Sequence, residues 1–297
     1  MDGLLNINKP GGMTSYGVVA LVKRLTHERR VGHAGTLDPM ACGVLPVCLG
    51  RGTRVIEFLA EAKKVYRAEI ELGLATDTYD AGGRVTQRGD ASGISRRQLK
   101  SALGSFRGRV MQRPPMYSAV RYQGRRLYEL ARAGITVLPP SRPAEIYRLE
   151  LRDFRPPLVT LEVECGKGTY IRSLAHDLGQ ALGCGGHLKS LVRLGYGPFA
   201  TDSAVTLPQL ETACCHGYWR QLVYPPDIVL CHWPAVVLSD DKEQFIRHGR
   251  PLYLEADGAS FDGRCRAYSQ DGCFLAVLDY SAENGQWHPV KVFSGWQ

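Results

Sequence analysis

Val31-Gly32-His33-Ala34-Gly35-Thr36-Leu37-Asp38-Pro39-Met40-Ala41-Cys42-Gly43-Val44-Leu45-Pro46-Val47-Cys48-Leu49-Gly50 is the stretch around which the rest of the chain is organised. Its first thirteen residues hold three glycines and a proline, so the opening is expected as loop. Val44–Leu49 then reads as a mostly buried strand. Pro39 steers Asp38 away from helical geometry, and Gly32 and Gly35 let the backbone approach a ligand closely. An acid on a stiff, glycine-lined loop before a buried strand is a way to present a nucleophile or a base. The same pattern suits a turn Asp that bonds its own backbone, and the segment by itself leaves both readings open.

The 297-residue chain is long enough for one large domain and a small one. Its hydrophobic fraction of 44% and charged fraction of 22% are those of an ordinary soluble protein. No apolar run approaches the roughly 18 residues of a membrane span, and Met1-Asp2-Gly3-Leu4 lacks the order of a signal peptide. Nine cysteines without framework spacing suit a reducing, cytoplasmic setting. The net charge of +8 is uneven: residues 225–297 carry six Lys/Arg against ten Asp/Glu. Between Arg96 and Arg132 ten basic residues face only Glu129. Such asymmetry fits a polyanion docking on the N-terminal part, although a charge run is also the pattern of a plain solvated face.

Leu4–Asn8 reads as a short strand, and Thr14 or Ser15 as the cap of a helix burying Val18, Val19, Val22 and Leu25. Thr53–Ala60 looks helical. Lys64–Leu74 alternates, placing Tyr66, Ala68, Ile70 and Leu72 on one face of a half-buried strand. Asp77–Gly83 is turn-rich; Ser95 starts a helix through Leu99 and Leu103; Pro114–Val120 is extended; Arg125–Ala133 is a short basic helix closed by Gly134. Arg142–Phe154 and Leu158–Cys165 read as strands about Pro156-Pro157, and Thr169 as the cap of a helix through Ile171, Leu174 and Leu178. Beyond Pro225-Pro226 come short strands at Ala235–Leu238, Gly263–Tyr268, Phe274–Asp279 and Val290–Phe293, with a helix near Asp240–His248. Without a regular βαβ rhythm, this is an α+β or mixed-sheet protein with a small acidic β domain at 225–297.

Several residues admit a chemical and a plain reading. Arg172, in Gly166-Lys167-Gly168-Thr169-Tyr170-Ile171-Arg172, either holds a carboxylate ionised or is a surface Arg on a first helical turn. The full P-loop spacing is absent, which excludes that mode of triphosphate binding. Tyr66 is an ordinary strand aromatic or a platform for an extruded base. His33 bonds its own turn or stacks beside RNA. Met116 and Tyr117 with the basic helix suit a loop over single-stranded RNA. Cys184/His187, Cys214-Cys215-His216 and Cys231-His232 do not repeat with ligand spacing, so no metal site is expected.

His33-Ala34-Gly35-Thr36-Leu37-Asp38-Pro39, continuing to Gly43, Leu45 and Gly50, resembles the signature of the TruB-type tRNA pseudouridine synthases. The likeness extends to Lys9-Pro10-Gly11-Gly12-Met13-Thr14-Ser15, Lys64-Val65-Tyr66-Arg67, Met116–Gly124 with Leu127-Tyr128, Gly168–Arg172 and Leu191-Val192-Arg193-Leu194. It covers nearly all of residues 3–215; residues 233–295 resemble a PUA domain weakly.

The resemblance implies a mixed, largely antiparallel catalytic domain over 1–224, a thumb insertion at about 114–141, and a β-barrel-like, RNA-binding PUA domain over 225–297. It implies isomerisation of uridine 55 in the TΨC arm of elongator tRNAs, without cofactor or metal, and help with tRNA folding. Asp38 is then the catalytic carboxylate, by covalent attack or sugar deprotonation. Arg172 pairs with it, and Tyr66 stacks on the uracil and moves a proton. His33, Leu191, Lys9, Asp80, Tyr170 and Arg121 are expected at the substrate. The thumb-like residues 114–134 and the lack of long basic tails favour the stand-alone form without guide RNA, and a monomer is the default expectation. Other readings are a non-catalytic tRNA-binding module, a guide-dependent subunit and a metal-dependent nucleic-acid hydrolase.

Overall fold

The computed structural model describes residues 1–254 and 263–293. In chain order, β1 (Gly3–Lys9) leads through α1 (Ser15–Thr26) to β2 (Val31–His33) and β3 (Cys42–Leu49). Then come α2 (Ile56–Ala60), β4 (Lys64–Leu72), the hairpin of β5 (Leu74–Thr76) and β6 (Val85–Arg88), and α3 (Arg96–Gly104). β7 (Gly108–Gln112) precedes a ribbon of β8 (Arg121–Tyr122) and β9 (Arg125–Arg126), capped by α4 (Leu127–Arg132). β10 (Arg142–Arg155) and β11 (Leu158–Cys165) form a long hairpin, followed by α5 (Ile171–Ala181), β12 (Gly186–Tyr196), β13 (Phe199–Ala200), β14 (Val205–Thr206) and α6 (Leu207–Cys215). Last are β15 (Ala235–Val237), α7 (Asp240–Arg247), β16 (Arg264–Tyr268), β17 (Phe274–Ser281) and β18 (Gln286–Val292).

The main sheet runs β14-β1-β3-β12-β4-β11-β10-β7, with β13 and β2 paired at its sides. Only β1/β14 and β3/β12 are parallel, so the expected mixed, largely antiparallel α+β architecture is what forms. β3 lies near the middle. Leu45, Val47 and Leu49 join the core under α1 and α5, while Val44 and Cys48 join a second core on the other face. A strand covered on both faces reads as an unbroken apolar run.

The second core also contains Leu230, Phe274, Val277 and Phe293. The C-terminal four-stranded sheet, β15-β16-β17-β18, is therefore packed onto the back of β3 through shared apolar side chains. Lys291 pairs with Glu57 at 2.7 Å across this junction.

Local signals explain most elements. Thr14 accepts from the Gly17 N–H at 2.9 Å at the start of α1, and Ser95 with Gln98 makes a capping box at α3. Three expectations differ. Arg125 and Arg126, expected to open a helix, pair with β8 as strand, and the helix begins at Leu127. Val31–His33 pairs with β3 as strand, because the β3 edge extends that far. Thr169 does not cap α5: Tyr170 takes that position, and the Thr169 hydroxyl faces the Glu145 carbonyl at 3.4 Å. Gln112 supplies what a cap would, accepting from Tyr170 N–H at 3.0 Å and donating to its carbonyl at 3.3 Å.

Candidate active site

Asp38 stands on the loop between β2 and β3, and its neighbours fix that loop by backbone bonds. The Ser15 hydroxyl donates to the Leu37 carbonyl at 3.0 Å and accepts from the Leu37 N–H at 2.9 Å. The buried Lys9 ammonium donates to the Pro10 and Pro39 carbonyls, at 2.9 and 3.2 Å, and to that of Met13. Its donors are thus committed to backbone, and Lys9 ties the Pro10–Met13 loop to the Asp38 loop. Gly35 (φ +64°) has no room for a side chain: a Cβ there would lie 2.8 Å from the Tyr196 ring.

Arg172, on the first turn of α5, meets Asp38 with a two-pronged pair: Nε to Oδ2 at 2.9 Å and Nη2 to Oδ1 at 3.0 Å. Nη2 also donates to the Tyr117 carbonyl at 2.9 Å. Nη1 reaches the Thr78 carbonyl and Asp80 Oδ2, both at 3.5 Å. All three guanidinium nitrogens are thus engaged, by three hydrogen bonds and two further ion-pair contacts. The Arg172 side chain is only 6% exposed, whereas Asp38 keeps 32%, so the acid is reachable from outside and its partner is not. Burial lifts the Asp38 carboxyl above the ordinary carboxylate range. Arg172 pulls it back most strongly, Asp80 adds to the rise, and Lys9 opposes it.

Tyr66 and Leu191 come from adjacent strands β4 and β12 and belong to the same core as Leu37. Burial raises the Tyr66 phenol, and Arg193, its cross-strand neighbour, counteracts this. Arg193 is fully buried. Its Nε donates to the Val44 carbonyl at 2.6 Å and its Nη2 to the Gly35 carbonyl at 2.9 Å. The guanidinium lies 4.9 Å from the Tyr196 ring centre. Burial first, then Arg193, lowers the His33 imidazole. Both influences favour the neutral imidazole.

Asp38, Arg172, Asp80, Lys9 and Tyr66 thus act on one another from β1, β4, α5 and two loops, whereas Leu191 shares the core with Tyr66 and Leu37, and His33 feels Arg193. Tyr170 is half-buried at the start of α5. Arg121 is exposed on the β8/β9 ribbon, with no ion pair to the others among the described residues. Ser15, Gln112 and Arg193 are the structural residues that sequence reading did not single out by role. Only the capping reading of Ser15 came near. Among the described residues, no group of three or more His, Cys, Asp or Glu side chains is arranged to hold a metal ion.

The family model for the N-terminal domain of TruB family pseudouridylate synthases matches residues 23–171, and that for the tRNA pseudouridylate synthase B C-terminal domain matches 172–230. The chain belongs to the TruB family of pseudouridylate synthases. TruB relatives match it almost end to end. The tRNA pseudouridine synthase B of Dehalococcoides mccartyi is 46% identical over 293 residues, covering 99% of this chain and 97% of its own. That of Geobacillus thermodenitrificans is 41% identical over 302 residues, covering 99% and 100%. Among solved structures, a Cbf5-Nop10-Gar1 complex contains a chain that superposes with a TM-score of 0.75 at 28% identity. The match covers 98% of this chain and 84% of that one. Membership of the family makes this protein a pseudouridylate synthase, an isomerase.

Proposed function

We propose that this protein converts uridine 55 in the TΨC arm of elongator tRNAs to pseudouridine, with Asp38 as the catalytic carboxylate. The observation that carries this reading is the reachable Asp38 held in a two-pronged pair by an almost inaccessible Arg172. Near-full-length likeness to proteins named tRNA pseudouridine synthase B supports tRNA as the substrate.

The uracil enters the site flipped out of the arm, because a stacked base cannot be reached. Asp38 drives cleavage of the C1′–N1 bond, the uracil rotates, and C5 bonds to C1′. The proton on C5 leaves and N1 gains one, so atoms balance without a co-reactant. Tyr66 stacks on the ring and takes part in the proton movement, Leu191 packs beside it, and neutral His33 supports the flipped arrangement. Lys9 and Asp80 act through the Asp38 loop and Arg172, and Tyr170 borders the pocket. Arg121 and the thumb at about 114–141 grip phosphates without a guide RNA. Residues 1–224 form the catalytic unit of a cytoplasmic monomer that also assists tRNA folding. Residues 225–297 form a PUA-like, RNA-binding unit.

The test is tritium release from tRNA labelled at uracil C5, with wild type and Asp38→Ala, in excess chelator. Wild type releases tritium, and the variant is slower on the order of 10³-fold or more while binding tRNA. If neither releases tritium yet both bind, the protein is a tRNA-binding module.

A further inference from the structure

Between Thr78 and Asp80, both of which touch Arg172 Nη1, lies Tyr79. It adopts φ +63°, a left-handed conformation that residues bearing side chains rarely take. Its ring lies 4.0 Å from that of His176 at an interplanar angle of 15°, a stacked pair. His176 follows Arg172 by four residues on α5, so the two side chains leave the same face of the helix. One helix face therefore grips three consecutive residues of the turn. The Tyr79 carbonyl also accepts from Leu188 N–H at 2.9 Å, and Ala81 N–H donates to the Leu188 carbonyl at 3.0 Å. Within the turn, Thr78 Oγ1 donates to Asp80 Oδ1 at 2.7 Å.

Backbone held in an unfavourable region persists only where its surroundings over-determine it. Here the surroundings are β12 on one side and the His176 ring on the other. We propose that Tyr79 and His176 are positioning residues, whose stack seats the Thr78–Asp80 turn against Arg172 and so fixes the guanidinium that holds Asp38.

Neither ring touches the reacting atoms; both act through Arg172. Burial lowers the His176 imidazole, so the stacking ring is neutral. Asp177 and Arg113 are the charged groups that act on Tyr79. Those that act on Asp38 are Arg172 and Asp80, with Lys9 from β1. Moving the turn away thus frees one end of Arg172, whose hold is the strongest influence lowering Asp38, and also removes Asp80, the weaker neighbour that raises it.

The inference rests on the reading of Asp38 as the catalytic carboxylate. Its test is the pH dependence of kcat and KM for tritium release by wild type, Tyr79→Gly, His176→Ala and His176→Phe. Glycine takes positive φ freely, so Tyr79→Gly removes the stack without straining the turn. Tyr79→Gly and His176→Ala are expected to lose kcat about 10-fold with KM held, as reacting groups drift from register. Their acid limb moves to higher pH, because the weakened hold of Arg172 on Asp38 outweighs the loss of the Asp80 charge, and His176→Phe, which keeps a stacking ring, behaves as wild type. The proposal is overturned if the variants match wild type in kcat and acid limb. It is equally overturned if kcat falls with the limb unmoved, or if His176→Phe loses as much as His176→Ala. An inactive wild type, or an active Asp38→Ala, strikes instead at the reading of Asp38.

Discussion

Arg172 and Arg121 carry the same guanidinium, and the molecule treats them in opposite ways. Arg172 is buried and meets acceptors from the Asp38 loop, the Thr78–Asp80 turn and Tyr117. Arg121 is exposed on a two-residue strand whose partner, Arg125–Arg126, is also exposed. On the proposed function the contrast separates two jobs. A charge that must hold a reacting carboxylate is fixed before substrate arrives, because reorganisation at the moment of reaction would raise the barrier. A charge that meets phosphates is left in water, where its desolvation costs little and its partner is any point on a polyanion.

The largest effect expected from this contrast is at Arg172. Arg172→Lys keeps the charge but replaces three engaged nitrogens by one, and it cannot make the two-pronged pair. kcat is expected to fall on the order of 10²-fold through misplacement of Asp38, with KM changed far less. Steady-state tritium release decides it. A Lys variant with wild-type kcat would show that charge alone, not the fork, holds Asp38.

A pH profile sharpens the same comparison. On the proposed reading the carboxylate form of Asp38 is the working one, and burial sets its carboxyl above the ordinary carboxylate range. As pH falls, protonation therefore begins to remove active enzyme earlier than for an exposed Asp. kcat should drop about 10-fold per pH unit below that point, from a limb above the free Asp value of about 3.9. Binding of tRNA measured over the same range should not follow this limb, since the exposed arginines stay charged. A limb at or below the free value would mean that Arg172 outweighs burial.

Elements that bury one face were legible in the sequence because burial writes a period. Tyr66, Ala68, Ile70 and Leu72 alternate inward along β4, and Val18, Val19 and Val22 sit inward on α1. β12, the strand between β3 and β4, was not legible as a strand. Exposed Lys189 and Ser190 interrupt it, and Arg193, a charge, sits where the pattern calls for an apolar side chain. That burial has a cause only the fold reveals. β12 pairs with β3 at just Cys42 and Gly43, so the next carbonyl, Val44, is met by the Arg193 side chain instead of a backbone N–H. β7 is a short, mostly exposed edge strand without a period to read. In the site, the resemblance pointed to Asp38 with Arg172. Nothing in a separation of 134 residues states that pair, nor the grip of Ser15 on Leu37. Contacts between distant segments are fixed by topology, not by local pattern.

The smallest effect belongs to the exposed side of the comparison, and it differs in kind. Arg121→Gln and Arg125→Gln remove charges that have no part in the Asp38 network, so kcat at saturating tRNA should stay at the wild-type value. KM should rise a few-fold. The diagnostic quantity is the salt dependence of tRNA binding. If each guanidinium neutralises one phosphate, each substitution lowers the slope of log K against log salt by about 1. Arg172→Lys should leave that slope unchanged. Equal slopes for wild type and both ribbon variants would place the phosphate contacts elsewhere among the ten basic residues between Arg96 and Arg132. A fall in kcat for Arg121→Gln would break the division itself, because it would mean that the exposed ribbon takes part in holding Arg172. The route for such coupling exists in the Tyr117 carbonyl, four residues before Arg121, which accepts from Arg172 at 2.9 Å. The two variants therefore measure whether the grip on RNA and the setting of the carboxylate are separate or linked through that one bond.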